Sequence, residues 1–313
     1  MALRAAPHIA AAGDTRARLA GIGLTSGSLV FFAILDATAK WLGQAISPVE
    51  IVWARYIGHF LLCWAVLNPW FAPGVWRTAR PGIHILRGLL LIGTTLGNFF
   101  ALQYLRLDQT MSIFFSMPFF VALLAGPLLG EWIGPRRWIA ILTGFVGVLL
   151  VVRPTAEGIH PAALSALAGS VCYAGYNITT RILAPTDSTG TMMLYSSLIG
   201  TVLTSLALPW VWSTPSAPAV ILNMTLAGIY GAAGHLLLVL AHQRAPASVL
   251  APFLYSQIIW MALLGWLVFG QVPDGWTLAG AAIVIASGLY LISRERAGKA
   301  EQAIEANITD SAP

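Results

Sequence analysis

Residues 109–130 read QTMSIFFSMPFFVALLAGPLLG, a run without a charged side chain between Asp108 and Glu131. A helix rises about 1.5 Å per residue, so about 20 apolar residues cross a hydrocarbon core about 30 Å thick. The run has that length, and it is too continuous for the alternating pattern of a membrane β-barrel strand. The same reading extends in both directions. No charge falls between Arg55 and Arg77, and none between Asp187 and Arg244, which leaves room there for two spans. Proline, glycine and polar clusters supply the breaks. The expected spans are 20–41, 49–68, 83–104, 109–130, 136–153, 162–183, 190–211, 220–242, 247–270 and 275–293. The expected fold class is therefore all-α integral membrane with ten transmembrane helices.

Composition agrees. Hydrophobic residues make up 58% of the sequence and charged ones 9%, against about 25% charged in soluble domains. A soluble protein could not hide so much apolar surface. The pI near 9.5 does not point to nucleic acid, because the basic residues are scattered and no nucleic-acid-reading motif accompanies them. Cys63 and Cys172 lie inside apolar segments without metal-ligand spacing and read as small buried hydrophobes.

Lys and Arg placement sets the orientation. With both termini cytoplasmic, thirteen fall inside: Arg4, Arg16, Arg18, Arg77, Arg80, Arg87, Arg136, Arg137, Arg181, Arg244, Arg294, Arg296 and Lys299. Arg106 and Arg153 fall outside, and Lys40 and Arg55 lie within spans. That asymmetry is the positive-inside pattern.

The two halves resemble each other. Asp36-Ala-Thr-Ala-Lys40-Trp-Leu42 lines up with Asn177-Ile-Thr-Thr-Arg181-Ile-Leu183 at an offset of 141, and Ser47 then falls on Ser188. Ala101-Leu-Gln103 matches Ala241-His-Gln243 at 140, and Trp138 matches Trp276 at 138. A repeat of five helices is odd, so the second copy enters the membrane from the opposite side. Such inverted-topology repeats support alternating access. The expected organisation is a tail at 1–18, repeats at 19–155 and 160–293, and a C-terminal tail at 294–313.

These features resemble the drug/metabolite transporter superfamily, in its ten-helix EamA-type group. The residues carrying the resemblance are Asp36-Ala-Thr-Ala-Lys40, Pro48-Val-Glu50 leading to Arg55, Phe100-Ala-Leu-Gln-Tyr-Leu105 and Pro127-Leu-Leu-Gly-Glu131. The second half adds Ala245-Pro-Ala-Ser-Val-Leu-Ala-Pro252 and Gly265-Trp-Leu-Val-Phe-Gly270, so that the likeness covers about residues 20–293. The resemblance implies a two-repeat bundle in a bacterial inner membrane that moves metabolites. It leaves the substrate and the direction open.

An ionisable group inside a span is costly and by default marks a functional site. Asp36 and Lys40 stand four apart, placed to pair on one helix face. They read either as a substrate or proton site or as a structural pair with Lys40 snorkelling to water. Arg55 and His59 share a face near Glu50. Arg55 suits a carboxylate or phosphate clamp, or a gate pair with Glu50. Ser170, Tyr173, Asn177 and Arg181 form a polar stripe that faces protein or a wet cavity. His235 and His242 are seven apart, and His235 is a candidate proton carrier. Asn98 and Gln257 sit deep enough to line a cavity, whereas Gln103 reads as serving a neighbouring helix. Gly93-Thr-Thr-Leu-Gly97 and Gly126-Pro-Leu-Leu-Gly130 allow close helix approach, and Pro118 and Pro252 can kink their spans.

The candidate substrate-binding or coupling set is Asp36, Lys40, Arg55, Asn98, Tyr173, Asn177, His235 and Gln257. No phosphate-cradling loop, His-Glu-x-x-His or Gly-x-Ser-x-Gly is present, so neither ATP hydrolysis nor familiar hydrolytic chemistry is expected. No catalytic residue, cofactor or metal is assigned. The expected activity is secondary active transport of a small polar or amphiphilic metabolite: an amino-acid derivative, a nucleoside-like cofactor or a flavin. The expected partners are the solute, the lipid bilayer and protons, for a monomer or homodimer. The alternatives are an intramembrane lipid-modifying enzyme or a channel.

Overall fold

The computed structural model describes residues 15–68, 70, 72–130, 132, 134–153 and 159–310. The tail through residue 14, Glu131 of the family-like motif and residues 311–313 lie outside them. Among the described residues the protein is helical with no strand. The first repeat runs α1 (Thr15–Leu42), α2 (Pro48–Leu67), α3 (Pro81–Tyr104), α4 (Leu107–Phe114), α5 (Met117–Leu129) and α6 (Pro135–Val152). The second runs α7 (Pro161–Leu183), α8 (Thr189–Ala207), α9 (Pro218–Arg244), α10 (Ala247–Leu254), α11 (Gln257–Phe269) and α12 (Gly275–Asp310), with a 3-10 turn at Leu208–Trp210 after α8. Among the described residues, seven helical segments have the length and hydropathy to cross a membrane, counting Leu107–Leu129 and Val249–Phe269 as one each. Trp138–Val152 and Gly275–Leu291 are shorter apolar helices. The remaining helix, α7, has spanning length, but its polar stripe dilutes its hydropathy.

Helix starts follow from local chemistry. Ser47 caps α2: its Oγ accepts the Glu50 N–H at 3.3 Å, and Glu50 Oε2 accepts the Ser47 N–H at 2.8 Å. Pro48 at the first helical position has no N–H to strand there. Ser188, its partner at offset 141, caps α8 in the same way, its Oγ accepting from Thr191 N at 3.1 Å. Gly130 ends α5 in a left-handed conformation at φ 75°, which glycine adopts without a Cβ clash.

The fourth and ninth spans are broken rather than merely kinked. Each changes direction at a repeat-equivalent serine, Ser116 and Ser256, whose N–H groups make the short bonds of a tight turn, to Ile113 and Phe253. Pro118 opens α5 just after the first break and has no N–H to carry the helix across. Pro252 lies inside α10, ahead of the second break. There Ser256 Oγ bonds back to Phe253 O at 2.7 Å and competes with the helix ladder.

The pairing of helices obeys an exchange of the two repeats. α3 lies along α7 and α1 along α9, while α2 meets α8 and α6 meets α12. α5 packs on α7 as α11 packs on α1. Small residues allow the closest crossings, since packing between helices in lipid rests on van der Waals contact rather than water exclusion. A methyl added at Gly58 of α2 would lie 2.6 Å from Gly228 Cα of α9, and one at Gly97 of α3 would lie 2.6 Å from Ser165 O of α7. The Gly93–Gly97 pattern therefore serves packing within the protein. The core fills the space between α1, α2, α3, α4, α9 and α11, around Leu35, Ile51, Tyr56, Leu102, Leu107 and Met261.

Candidate functional site

The predicted site residues on α1 and α2 do not meet the partners their spacing offered. Asp36 is buried and accepts a 3.0 Å hydrogen bond from Asn98 Nδ2 of α3. Lys40 does not pair with it. Its Nζ donates to Leu102 O and Leu105 O at 2.7 Å each, and it lies 5.7 Å from the centre of the Phe269 ring. The last carbonyls of α3 lack helical partners, and a buried ammonium in reach satisfies them. Lys40 thus caps the C-terminal end of a neighbouring helix.

Arg55 does not pair with Glu50 either. Glu50 is consumed by the cap of α2 and by Ser213, whose N–H and Oγ both donate to it, at 2.9 and 3.1 Å. That contact ties the start of α2 to the segment after α8. Arg55, one turn deeper, donates from Nη1 to Thr95 Oγ1 at 2.5 Å, and its Nη2 approaches His235 Nε2 at 3.5 Å. Thr95 sits on α3 and His235 on α9, so one guanidinium joins both repeats. Its Nε finds no partner among protein atoms. His59, four residues on, stacks on His235 with ring centres 5.1 Å apart and planes 10° apart, and Phe32 meets the His235 ring edge-on at 5.0 Å. A methyl at Gly234 would lie 2.6 Å from the Phe32 ring, so glycine there makes room for this aromatic wall.

Toward the other end the structure encloses Arg87, which the charge pattern placed in cytoplasmic solvent. It is 4% exposed. Its Nε donates to Thr180 Oγ1 at 2.8 Å, Nη1 to Met192 O at 2.8 Å and to Ser196 Oγ, and Nη2 to Tyr176 Oη at 2.6 Å. The guanidinium also lies over the Tyr176 ring, 4.3 Å from its centre. The warning was present: Arg87 falls inside its own expected span, 83–104, not at the flank. Tyr176, Thr95 and Phe32 are the other site neighbours that spacing alone missed.

The remaining candidates divide. Tyr173 stands between Phe114 at 5.4 Å and Tyr176 at 5.6 Å in a short aromatic run. Asn177 turns its amide back onto Tyr173 O at 2.8 Å and so serves its own helix, although it aligns with Asp36 in the repeat. Ser170 of the same stripe meets Ser116 Oγ at 2.9 Å, at the break between α4 and α5. Gln257 is buried and opens α11 immediately after the second break. His242 is exposed and bonds Leu238 O. No group of His, Cys, Asp and Glu that could hold a metal occurs among the described residues.

The EamA-like transporter family model matches residues 19–153 and again 160–294. The protein belongs to the EamA-like transporter family. Among curated relatives, an S-adenosylmethionine uptake transporter of Rickettsia bellii is 30% identical over 88% of this sequence and 94% of its own length. A riboflavin transporter of Vibrio cholerae is 34% identical over 87% and 92%. A pseudopaline exporter of Pseudomonas aeruginosa is 26% identical over 85% and 93%. A solved crystal structure shares the fold with a TM-score of 0.62 at 18% identity, over 91% of this protein and 99% of the other. This EamA-like protein is thus a small-molecule transporter rather than an enzyme. It is a multi-pass membrane protein, and its bacterial transporter relatives place it in the inner membrane.

Proposed function

We propose that the protein is a secondary active transporter in which two five-helix units of opposite orientation, residues 19–155 and 160–293, rock about a shared site at Asp36, Asn98, Arg55 and His235. In this reading there are ten membrane crossings, with both termini cytoplasmic. The observation that carries it is Arg55: a guanidinium enclosed by α2, α3 and α9, bonded to both repeats. Desolvating a charge costs several kcal/mol or more, and a fold meets that cost where the charge has work to do. Contacts at both ends of the bundle supply the closures that alternating access needs. Glu50–Ser213 holds one end, and the Arg87 cluster holds the other.

The solute is a polar or amphiphilic metabolite of nucleoside-like, amino-acid-like or flavin type. The first two named relatives carry S-adenosylmethionine and riboflavin, which lie within those classes. Coupling is to protons or to exchange, with Asp36 as the first carrier and His235 the second. Direction stays open in this reading, since the relatives include both an uptake protein and an exporter.

The test is a thermal-stability screen of the purified protein in detergent against metabolites of these classes. A ligand that binds the folded state stabilises it by about 2.7 kcal/mol at 100 times its Kd. Ligands that raise the melting temperature and then show saturable counterflow in proteoliposomes support the reading. Flux that rises linearly without counterflow would replace it with a channel.

A further inference from the structure

We infer that the side-on edge of the Arg55 guanidinium, Nε with Nη2, together with His59 Nε2, is the docking point for a carboxylate on the transported solute. This rests on the transporter reading and names the solute's charged end.

Buried polar groups in folded proteins are almost always paired, and each exception calls for an explanation. Here two fall one helical turn apart on the same face of α2. Arg55 Nε and His59 Nε2 are both buried, in residues 7% and 4% exposed, and neither has a hydrogen-bond partner. Arg55 is not idle elsewhere: Nη1 is tied to Thr95, Nη2 approaches His235 at 3.5 Å, and the guanidinium lies 5.1 Å from the centre of the Tyr56 ring. The guanidinium is therefore fixed in orientation while its Nε/Nη2 fork remains underused. That fork matches the two oxygens of a carboxylate. His59 in its Nε2–H form adds a donor beside it.

Ion pairing points the same way. Lys40, Arg55 and Arg87 are enclosed by the bundle. Of the buried acids among the described residues, Glu50 is held by Ser47 and Ser213, Asp108 by Arg106 and Asp187 by His84. None of these three acids, nor Asp36, forms an ion pair with Arg55 among the described residues. Arginine does not deprotonate in proteins, and an uncompensated buried charge is strongly unfavourable. A carboxylate on the solute would give Arg55 an anionic partner at its Nε, the donor that no protein group uses.

The opposite wall provides a clean test. A methyl at Gly231 of α9 would lie 3.5 Å from Arg55 Nε and Cγ and 3.7 Å from Leu35 Cδ2, which is ordinary contact. Gly231→Ala therefore occupies the space beside Nε without forcing helices apart, and alanine is the better helix former.

Counterflow in proteoliposomes would be measured with matched probes: S-adenosylmethionine against its decarboxylated analogue, tryptophan against tryptamine, and riboflavin, which has no carboxylate. The expected result is a preference of at least tenfold for the carboxylate member of a transported pair. Gly231→Ala and Arg55→Lys should shrink that preference to about threefold or less, with the Gly231→Ala melting temperature equal to or above wild type. His59→Gln should weaken it less. Equal flux of both members of a pair, or transport of riboflavin in preference to every carboxylate probe, overturns the docking point and leaves the transporter reading standing. A protein that melts cooperatively yet carries none of the probes counts against the transporter reading, and the docking point falls with it.

Discussion

Asn98 Nδ2 donates to Asp36 Oδ1 at 3.0 Å, joining α3 to α1 within the first repeat. An amide at position 36 keeps that acceptor while removing the ability to carry a proton. Asp36→Asn should therefore leave the fold intact and separate net transport from exchange. Solute flux driven by an imposed pH gradient should fall at least tenfold, with solute exchange reduced by less than about threefold. Equal wild-type rates in both assays would remove Asp36 from the coupling role.

Lys40 gives a contrasting expectation. Its ammonium satisfies two carbonyls at the end of α3 rather than the acid four residues away. Lys40→Met strands those carbonyls, and each buried group left unpaired costs about 1–3 kcal/mol. The expected outcome is a lower melting temperature in detergent with the KM for solute nearly unchanged. A large KM change at constant melting temperature would return Lys40 to the binding site.

The α2–α9 crossing should be intolerant of bulk. Gly58 and Gly228 face each other so closely that a single methyl at Gly58 would lie 2.6 Å from the opposing Cα. Backbone lacks the freedom of a side group to swing aside, so Gly58→Val should cost about 1–3 kcal/mol or more. Because α2 carries Arg55 and α9 carries His235, the same change should weaken solute binding. Unchanged melting and unchanged transport would mean that the two helices do not cross there.

The end of the bundle that carries Arg106, Arg153 and Asp274 offers a pH-dependent contact outside the spans. Arg153 pairs with Asp274, and Arg106 approaches the same carboxylate at 3.9 Å. The Arg153 hydrogen bond, helped by the Thr277 N–H, holds the Asp274 carboxyl well below the usual carboxylate range. A depressed acid stabilises the fold fully above its unfolded value, about pH 3.9. That stabilisation is lost as pH falls through the folded value. With the Asp274 side chain 41% exposed, the contribution is under about 1 kcal/mol and screened by salt. Asp274→Asn should lower the melting temperature slightly at pH 7, and the difference should begin to narrow below about pH 4. A difference that stays constant down to pH 3 would show that the ion pair is not its source.

Local physics made much of this molecule readable in its sequence. Charge-free runs of spanning length located the helices, because unpaired charge and open backbone are both expensive in lipid. Ser47 and Ser188, matched by alignment alone, both became N-caps, because capping needs only a short polar side chain and the next turn of its own helix. Asp36, Arg55 and His235 stood out as ionisable groups inside apolar spans.

Tertiary structure decided which group each of these faces, since a helical period fixes the face a residue occupies but not the neighbour that face will meet. Lys40 is four residues from Asp36, yet the terminal carbonyls of α3 bind it better. Glu50 is drawn into its own cap and onto Ser213, which leaves Arg55 to Thr95 and His235. Arg87 counted as a solvent-side charge until Tyr176, Thr180, Met192 and Ser196 of the second repeat closed around it. At the break beside Ser116, the serine hydroxyl meets Ser170 of the second repeat, a partner no spacing within α4 and α5 could name. Composition and spacing determined that this protein is a membrane-spanning, two-repeat helical bundle. Contacts between helices distant in sequence, over α1, α2, α3, α7, α8 and α9, determined where its buried charges meet and that Arg55 Nε has no protein partner.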